Sequence, residues 1–310
     1  MSKPLVSVLV PVFNGEPYVS ECLDSILAQD FTDYELLIGD NGSTDGTPDV
    51  LRRYAERDGR IRWWQNPKNL GMGGNFNACL REARGEFVKY MMHDDFLLGP
   101  AALGRMVAAL QADPSVSLAG SATQLVDAQS RPIELRDHFR NTGVRDGRQL
   151  IAECLKRNLN LIGEPSVVLF RRRQAERGFD ERYRQILDLE LWFRLLEQGR
   201  FAYVAEPLCA FRQHGRQQSE VNRHVQAALD EWHVLWSAYW SRPGIRQTFT
   251  NRDIFAQIYN LRRNRSEKGV VLKSELVKSL GPYRYSCFWA KRKVTGPFIR
   301  LKNWLQRRYA

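Results

Sequence analysis

Apolar and polar residues alternate in blocks along the first third of the chain. The short apolar runs SVLVPVF, YELLIGD, IRWWQN and EFVKYMM are each followed by an amphipathic stretch: Pro17 to about Ala28, Pro48 to Arg57, Gly74 to Arg84 and Ala101 to Ala112. Strands that alternate with helices of about ten residues predict an α/β domain built on a mainly parallel sheet covered on both faces. Further along the alternation thins. VSLAGSATQLVD and IGEPSVVLFRR predict strands, LDLELWFRLLEQG a helix closed by Gly199, and FAYVAEPLCAF a strand running into RQHGRQQS. From Glu220 onward the pattern is helical and rich in Trp and Tyr, and the sequence holds no internal repeat and no low-complexity segment.

In a parallel sheet, ligands collect beyond the carboxyl ends of the strands. Those ends read PVFNGE, GDNGSTDG, NPKNLG and HDDF, all polar and three of them with carboxylates. The sharpest is KYMMHDDFLLGP, where an apolar strand passes without a turn signal into His93, Asp94 and Asp95. Adjacent carboxylates repel each other, so they point either to a bound cation or to a loop in which one Asp caps the helix beginning near Pro100. Asp40 closes YELLIGD, where a carboxylate is able to accept a hydrogen bond from a base or ribose. The Gly42, Ser43, Asp45 and Gly46 that follow also make an ordinary strand-to-helix turn. Gly71, Gly73 and Gly74 precede a helix but lack the GK[ST] of a phosphate loop. Taken singly, His214 reads as a satisfied structural histidine more than as a ligand, and Asp188 and Glu190 read equally well as complements to a helix dipole.

Charge divides the chain. The net charge is +11, yet residues 260–310 carry 14 Lys and Arg against Glu267 and Glu275, which leaves 32 basic and 33 acidic residues in the body before them. A basic tail on a neutral body predicts a docking segment rather than a surface made for nucleic acid. Five scattered cysteines without metal-ligand spacing fit a reducing compartment. The N-terminus enters a strand pattern directly, and no apolar run reaches the roughly 18 residues needed to span a bilayer. These features predict a cytoplasmic, non-spanning protein.

Together, these segments resemble the family 2 glycosyltransferases of the GT-A fold, over about residues 5 to 219. The opening VSVLVPVFNGEPYVSECLDSILAQDFTDYELLIGDNGSTDGT carries the resemblance most strongly. It implies a Rossmann-like sheet in which Asp40 reads the uracil or thymine edge of a nucleotide sugar while Pro11 and Phe13 line the base pocket. NLGMGGNFN resembles the family's asparagine- and glycine-rich segment, with Asn69, Gly71 and Asn77 on the donor side and Phe76 where many members have arginine. HDD then matches a motif that grips Mn²⁺ or Mg²⁺ across the sugar diphosphate. Asp94 is implied for metal and donor, Asp95 for metal, and Met92 replaces a further Asp. LDLELW resembles the family's ED motif, making Asp188 the general base and Leu187 a replacement for the usual Glu. Such a base deprotonates an acceptor hydroxyl that attacks opposite the diphosphate, inverting the anomeric centre. FRQHGRQQS resembles a closing YRxH segment, with His214 a contact to diphosphate or metal. Glu164 and Glu190 are expected on the acceptor side.

The sequence thus predicts a catalytic domain over 1–219 and a helical, basic, aromatic extension over 220–310. The expected donor is a UDP- or dTDP-sugar, and the expected acceptor a hydroxyl of a growing bacterial glycan or its lipid-linked precursor. In GPFIRLKNWLQRRYA a helix would bring Phe298, Leu301, Leu305 and Tyr309 onto one stripe beside Trp304, flanked by Arg300, Lys302, Arg307 and Arg308. That pattern predicts docking on an anionic membrane surface, at the inner face of the cell membrane. Two alternatives compete. A sugar nucleotidyltransferase requires a glycine-rich loop with a basic residue directly after the first strand, which PVFNGEPY lacks. A nucleic-acid-binding protein accounts for the tail but not for four polar strand ends at one edge.

Overall fold

The structure is a computed structural model and describes residues 3–215, 217, 227–261 and 266–280. The chain divides into two units, Met1–Ala228 and Leu229–Ala310. The expected boundary at 219/220 lies outside the described residues.

In the first unit, β1 (Val6–Val12) and β2 (Tyr34–Asp40) are buried at every position, as expected of central strands covered on both faces. The sheet runs β3-β2-β1-β4-β9-β6-β10-β5, with β3 at Ile61–Gln65, β4 at Phe87–Tyr90, β5 at Phe96–Leu97, β6 at Val116–Val126, β9 at Val168–Arg171 and β10 at Arg200–Arg212. β1, β2, β3 and β4 are mutually parallel. β9 is antiparallel to both β4 and β6, and β10 is parallel to β6, so β6 and β10 point the same way as the first four. The expected mainly parallel sheet is therefore present, interrupted by one reversed strand. Short antiparallel strands complete it: β7 (Pro132–Arg136) pairs with β6, and β8 (Gly143–Arg145) and β5 pair with β10.

Helices cover the sheet: α1 (Val19–Leu27), α2 (Thr47–Arg57), α3 (Gly71–Glu82), α4 (Ala102–Gln111), α5 (Gly147–Arg157) and α6 (Leu187–Leu196). α1 shows the logic, since Val19, Cys22, Leu23 and Ile26 recur at helical spacing and all four are buried in the core shared with β1 and β2. α3 begins three residues earlier than its apolar pattern suggested, because Leu70 already has helical backbone angles. α6 ends at Leu196 rather than at Gly199. Gly199 serves packing instead: a Cβ there would lie 2.2 Å from Ser117 Oγ and 2.4 Å from the Ser115 carbonyl. α5 was not expected from the sequence pattern. It is capped by Asp146, whose side chain accepts a hydrogen bond from the Gln149 N–H at 2.9 Å.

The second unit contains helices, as expected of the extension: α7 (Ala227–Tyr239) runs into it, followed by α8 (Asn251–Asn260) and α9 (Glu267–Leu280). Thr250 and Asp253 form a reciprocal capping box at the start of α8. Ile254 and Ile258 of α8 and Leu272, Leu276 and Leu280 of α9 are buried. Among the described residues no helix is long and apolar enough to cross a membrane. The predicted stripe from Phe298 to Tyr309 lies outside the described residues.

Candidate active site

Register gathers the polar strand ends. Val12 of β1 pairs with Asp40 of β2, and Asp40 with Gln65 of β3, so these ends form one row. Asp40 is fully buried. Its Oδ1 accepts hydrogen bonds from the Ser43 N–H (3.0 Å) and hydroxyl (2.5 Å), and its Oδ2 from Gln65 Nε2 (2.8 Å). The loop after β1 is stitched to the loop after β2. Asn14 N–H donates to Ser43 Oγ (2.8 Å), Thr44 N–H to Asn14 Oδ1 (2.9 Å) and Gly15 N–H to Thr47 Oγ1 (2.8 Å). Pro11 is buried in β1, whereas Phe13, one turn of the strand beyond it, is 44% exposed and presents a ring at this edge.

An asparagine cluster braces the next wall. Asn41 Nδ2 donates to Asn69 Oδ1 (3.0 Å) and to the Gly71 carbonyl (3.2 Å), while its Oδ1 accepts from Asn66 Nδ2 and the Leu70 N–H. Gly71 has φ +73°, a left-handed conformation suited to glycine at this tight entry into α3. Asn69 and Gly71, expected on the donor side, thus stand beside the Asp40 loop. Asn77 does not join them. Its amide pairs with the backbone of Phe179, accepting from the N–H (2.7 Å) and donating to the carbonyl (3.0 Å), and it also donates to Glu181.

The HDD segment closes the other side. A Cβ on Gly15 would meet His93 Cδ2 at 3.3 Å, so this segment touches the loop after β1. Asp94 Oδ2 lies 2.9 Å from His214 Nε2, and both side chains are only slightly exposed, at 13% and 10%. Burial alone would raise the Asp94 carboxyl pKa, but the His214 hydrogen bond and the charges of His93 and His214 outweigh it, and the carboxyl sits below its ordinary value. Asp95 points elsewhere. It is 1% exposed; its Oδ1 accepts from the Arg212 N–H (3.0 Å) and its Oδ2 makes no hydrogen bond. Burial, reinforced by the Asp94 charge, pushes its carboxyl well above the usual range. The two carboxylates expected to share a cation thus stand apart: the Asp95 oxygens are buried against β10, and Asp94 with His214 forms the partly open pair. Among the described residues no three or more His, Cys, Asp or Glu side chains come together as a metal cluster.

Arg212 holds this wall together and was passed over in the sequence. It is 1% exposed. Nε donates to the Asp94 carbonyl (2.8 Å), Nη1 to Ser130 Oγ (2.9 Å) and to the carbonyls of Asp127 and Ala128, and Nη2 to Glu21 Oε2. Its guanidinium stacks over Tyr18 at 4.5 Å, and the Tyr18 ring also contacts the His214 ring, with centroids 4.9 Å apart. A usable signal existed. In an extended FRQH segment, residues two apart share a face, which puts Arg212 beside His214. Below the motif, Lys89 of β4 is fully buried and donates to the Ser166 carbonyl and to Cys209 Sγ (3.7 Å), and burial lowers its pKa.

On the far side, Asp188 in the first turn of α6 is partly buried and accepts from Asn160 Nδ2 at 3.3 Å. Asn160 also donates to the Gly163 carbonyl, which Trp192 Nε1 reaches from α6 at 3.1 Å, so one loop positions Asp188 and the Glu164 that follows. Glu164 pairs with Arg136 at 2.8 Å and is about one-third exposed, and its charge acts on Asp95. Glu190 is different. It is buried, both its oxygens lie 3.0 Å from Arg194 Nε, and Arg194 reaches on to the Gly178 carbonyl. Asn77 directly, and Glu190 through Arg194, therefore hold the 178–181 segment. Both side chains, expected on the donor and acceptor sides, are engaged within the protein at this segment.

The polar ends of β1, β2 and β3 and the Asp94–His214 pair gather at one edge of an α/β sheet, the layout of a sugar-transferring enzyme's candidate site. The sequence profile of glycosyl transferase family 2 matches residues 7–179, more than half of the chain. The chain belongs to this family and is a glycosyltransferase. Among relatives, it is 31% identical over 220 residues to an uncharacterized protein of Mycobacterium tuberculosis, covering 68% of each. It is 27% identical over 201 residues to the chondroitin synthase of Escherichia coli, covering 65% of this chain but only 28% of that longer enzyme. The Staphylococcus aureus TarS fragment 1–349 with UDP-GlcNAc superposes with a TM-score of 0.61 at 17% identity, over 91% of this chain and 92% of that one. A Pyrobaculum calidifontis mannosyltransferase with GDP-Man and Mn²⁺ gives 0.57 at 19%, over 92% and 83%. At such identities these structures speak for the fold, which is the expected GT-A type.

Proposed function

We propose that the protein transfers a sugar from a UDP- or dTDP-activated donor to a hydroxyl of a bacterial surface glycan, such as an O-antigen, capsule or exopolysaccharide, or of its lipid-linked precursor, with inversion. The observation that carries this reading is the Asp94–His214 pair at 2.9 Å, at the same sheet edge as the exposed Phe13 ring and Asp40. The nucleotide would lie along that edge, with Phe13 against the base and the Asp40–Ser43 loop at its polar rim. One oxygen and one nitrogen ligand suit a divalent cation such as Mn²⁺ or Mg²⁺ that takes its remaining ligands from the diphosphate and water. When bound, that cation offsets charge growing on the departing diphosphate. Asp188, oriented by Asn160, takes the acceptor proton, and Glu164 with Arg136 shapes the acceptor side. The nucleotides in the related structures, UDP-GlcNAc and GDP-Man, support a nucleotide-sugar donor, and the likeness to chondroitin synthase supports a glycan acceptor.

In this reading the catalytic domain ends near residue 219, and the basic extension places the enzyme at the inner face of the cell membrane, in the cytoplasm. The test is a screen of nucleotide sugars that detects nucleotide release with and without Mn²⁺. Turnover of a uridine or thymidine donor that requires the cation is expected. No donor turned over, or equal turnover in chelator, would overturn the metal-dependent assignment.

A further inference from the structure

The opposite end of the sheet carries a second, unassigned concavity. A groove of about 520 Å³ is lined there by Lys3, Pro4, Tyr34, Arg60, Arg84 and Arg172, among others. A smaller one of about 260 Å³ shares Lys3 and Arg172 with it and adds Arg171 and Arg173. These residues precede or begin β1, β2, β3 and β4 or follow the reversed β9, so they mark the strands' amino-terminal edge. β1 has seven residues between this edge and the active-site edge. At a rise of about 3.3 Å per residue, the two ends stand roughly 20 Å apart.

What distinguishes the groove is which charges are already spent. Glu35 is held by Arg84 (2.8 Å) and Ser7, Asp58 by Arg60 (2.6 Å), and Glu86 by Arg171 (3.3 Å). The acidic side chains that line the two grooves, Glu35 and Glu86, are therefore each matched by an arginine. Lys3, Arg172 and Arg173 remain, and among the described residues none of them has an ion-pair partner. Arg172 is also aimed: its Nε donates to the Gly85 carbonyl at 2.8 Å, which fixes the guanidinium and leaves its two terminal nitrogens for a forked contact. Gly85 permits this, because a Cβ there would lie 2.4 Å from the Ser7 nitrogen. Three unmatched cations around a concavity, one of them an oriented fork, have the chemistry of a site for phosphate oxygens. All three line the smaller groove, and Lys3 and Arg172 join it to the larger one.

We propose that the smaller groove binds a phosphate-bearing anion through Lys3, Arg172 and Arg173, at a site separate from the donor site. The shared chemistry is clustered phosphate oxygens, borne by the di- or triphosphate of a free small molecule or by adjacent phospholipid headgroups. The test is calorimetric titration of the full chain with inorganic tripolyphosphate in chelator, so that no cation recruits the anion to Asp94. Lys3→Gln combined with Arg173→Gln keeps the Arg172–Gly85 bond and alters only surface side chains. It should weaken binding about tenfold or more, since hydrogen bonds to charged groups are the stronger ones. Asp94→Asn should leave the affinity unchanged. Sedimentation with phosphatidylglycerol vesicles, against phosphatidylcholine controls, assigns the source. Vesicle binding that falls in the double variant points to headgroups, and vesicle binding that is unchanged while tripolyphosphate binding falls points to a free anion. No tripolyphosphate binding by the wild type, or equal affinity in the double variant, overturns the proposal.

Discussion

Replacing Arg212 by Met keeps most of its length and removes every donor. The Asp94, Asp127 and Ala128 carbonyls and Ser130 Oγ each lose a partner, and Glu21 loses its cation. Breaking a buried charged pair from one side costs about 3–5 kcal/mol. Glu21 is 42% exposed and is rehydrated once the arginine is gone, so the low end, about 3 kcal/mol, applies. For a unit of this size, about 2–4 °C per kcal/mol gives a fall in Tm of about 6–12 °C by circular dichroism. A second effect follows from position. The Arg212 main chain holds Asp95, and its side chain holds the Asp94 carbonyl, so Arg212→Met should also weaken Mn²⁺-dependent UDP binding by about 10- to 100-fold, as loss of groups supporting a metal ligand does. Arg212→Lys separates charge from geometry. A lysine supplies the charge for Glu21 but has no planar fork to reach the three carbonyls, so it should recover little of either loss. An unshifted Tm with unchanged UDP affinity in Arg212→Met, or full recovery with lysine, would refute this reasoning.

Four further outcomes are expected. Asp94→Asn should abolish Mn²⁺-dependent donor binding while Asp95→Asn only weakens it, because Asp95 faces the Arg212 backbone; calorimetry that ranks them in reverse would exchange their roles. Asp188→Asn should preserve donor affinity and lower kcat by roughly 10²- to 10⁴-fold, and near wild-type turnover would move the base elsewhere. Asp180, bonded to Arg182 and close to Arg177, has its pKa lowered from 3.8 to about 2, so its contribution to stability is complete above the ordinary carboxylate range and is lost as pH falls toward 2. Asp180→Asn should flatten that part of a urea-midpoint profile against pH, and an unaltered slope would discount the interaction. For the basic tail, full-length protein should co-sediment with anionic liposomes at low salt, and a version ending at Ser279 should bind less; equal binding by both would end the docking idea.

Parts of the site built from single strand ends were legible in the sequence, because a parallel sheet aligns those ends and their residues need only be read in order. Asp40, Phe13, Asn69 and the HDD segment fall in this class. Each lies within a few residues of a buried run, and the parallel register of β1 with β2 and β4, and of β2 with β3, delivers them to one edge. The same reasoning could not separate Asp94 from Asp95. Neighbours in sequence diverge in space there, one carboxylate turning to His214 and the other under the β10 backbone, and that choice is made by a strand more than a hundred residues away.

The residues read differently in the structure share one property: their partners are distant in sequence and ordinary in type. Asn77 looked like a donor contact because it sits in an asparagine-rich helix start, yet its amide fits the Phe179 backbone 102 residues on. Glu190 looked available because it follows Asp188 by two, but a helix turns about 200° over that interval, so the two carboxylates cannot face the same side. The Asp188 face meets the loop at Asn160, whereas the Glu190 face turns inward to Arg194 and the segment that Asn77 also holds. Helical phase alone would have separated these two acids in the sequence, and it implies that Glu190→Gln should act on stability rather than on the acceptor.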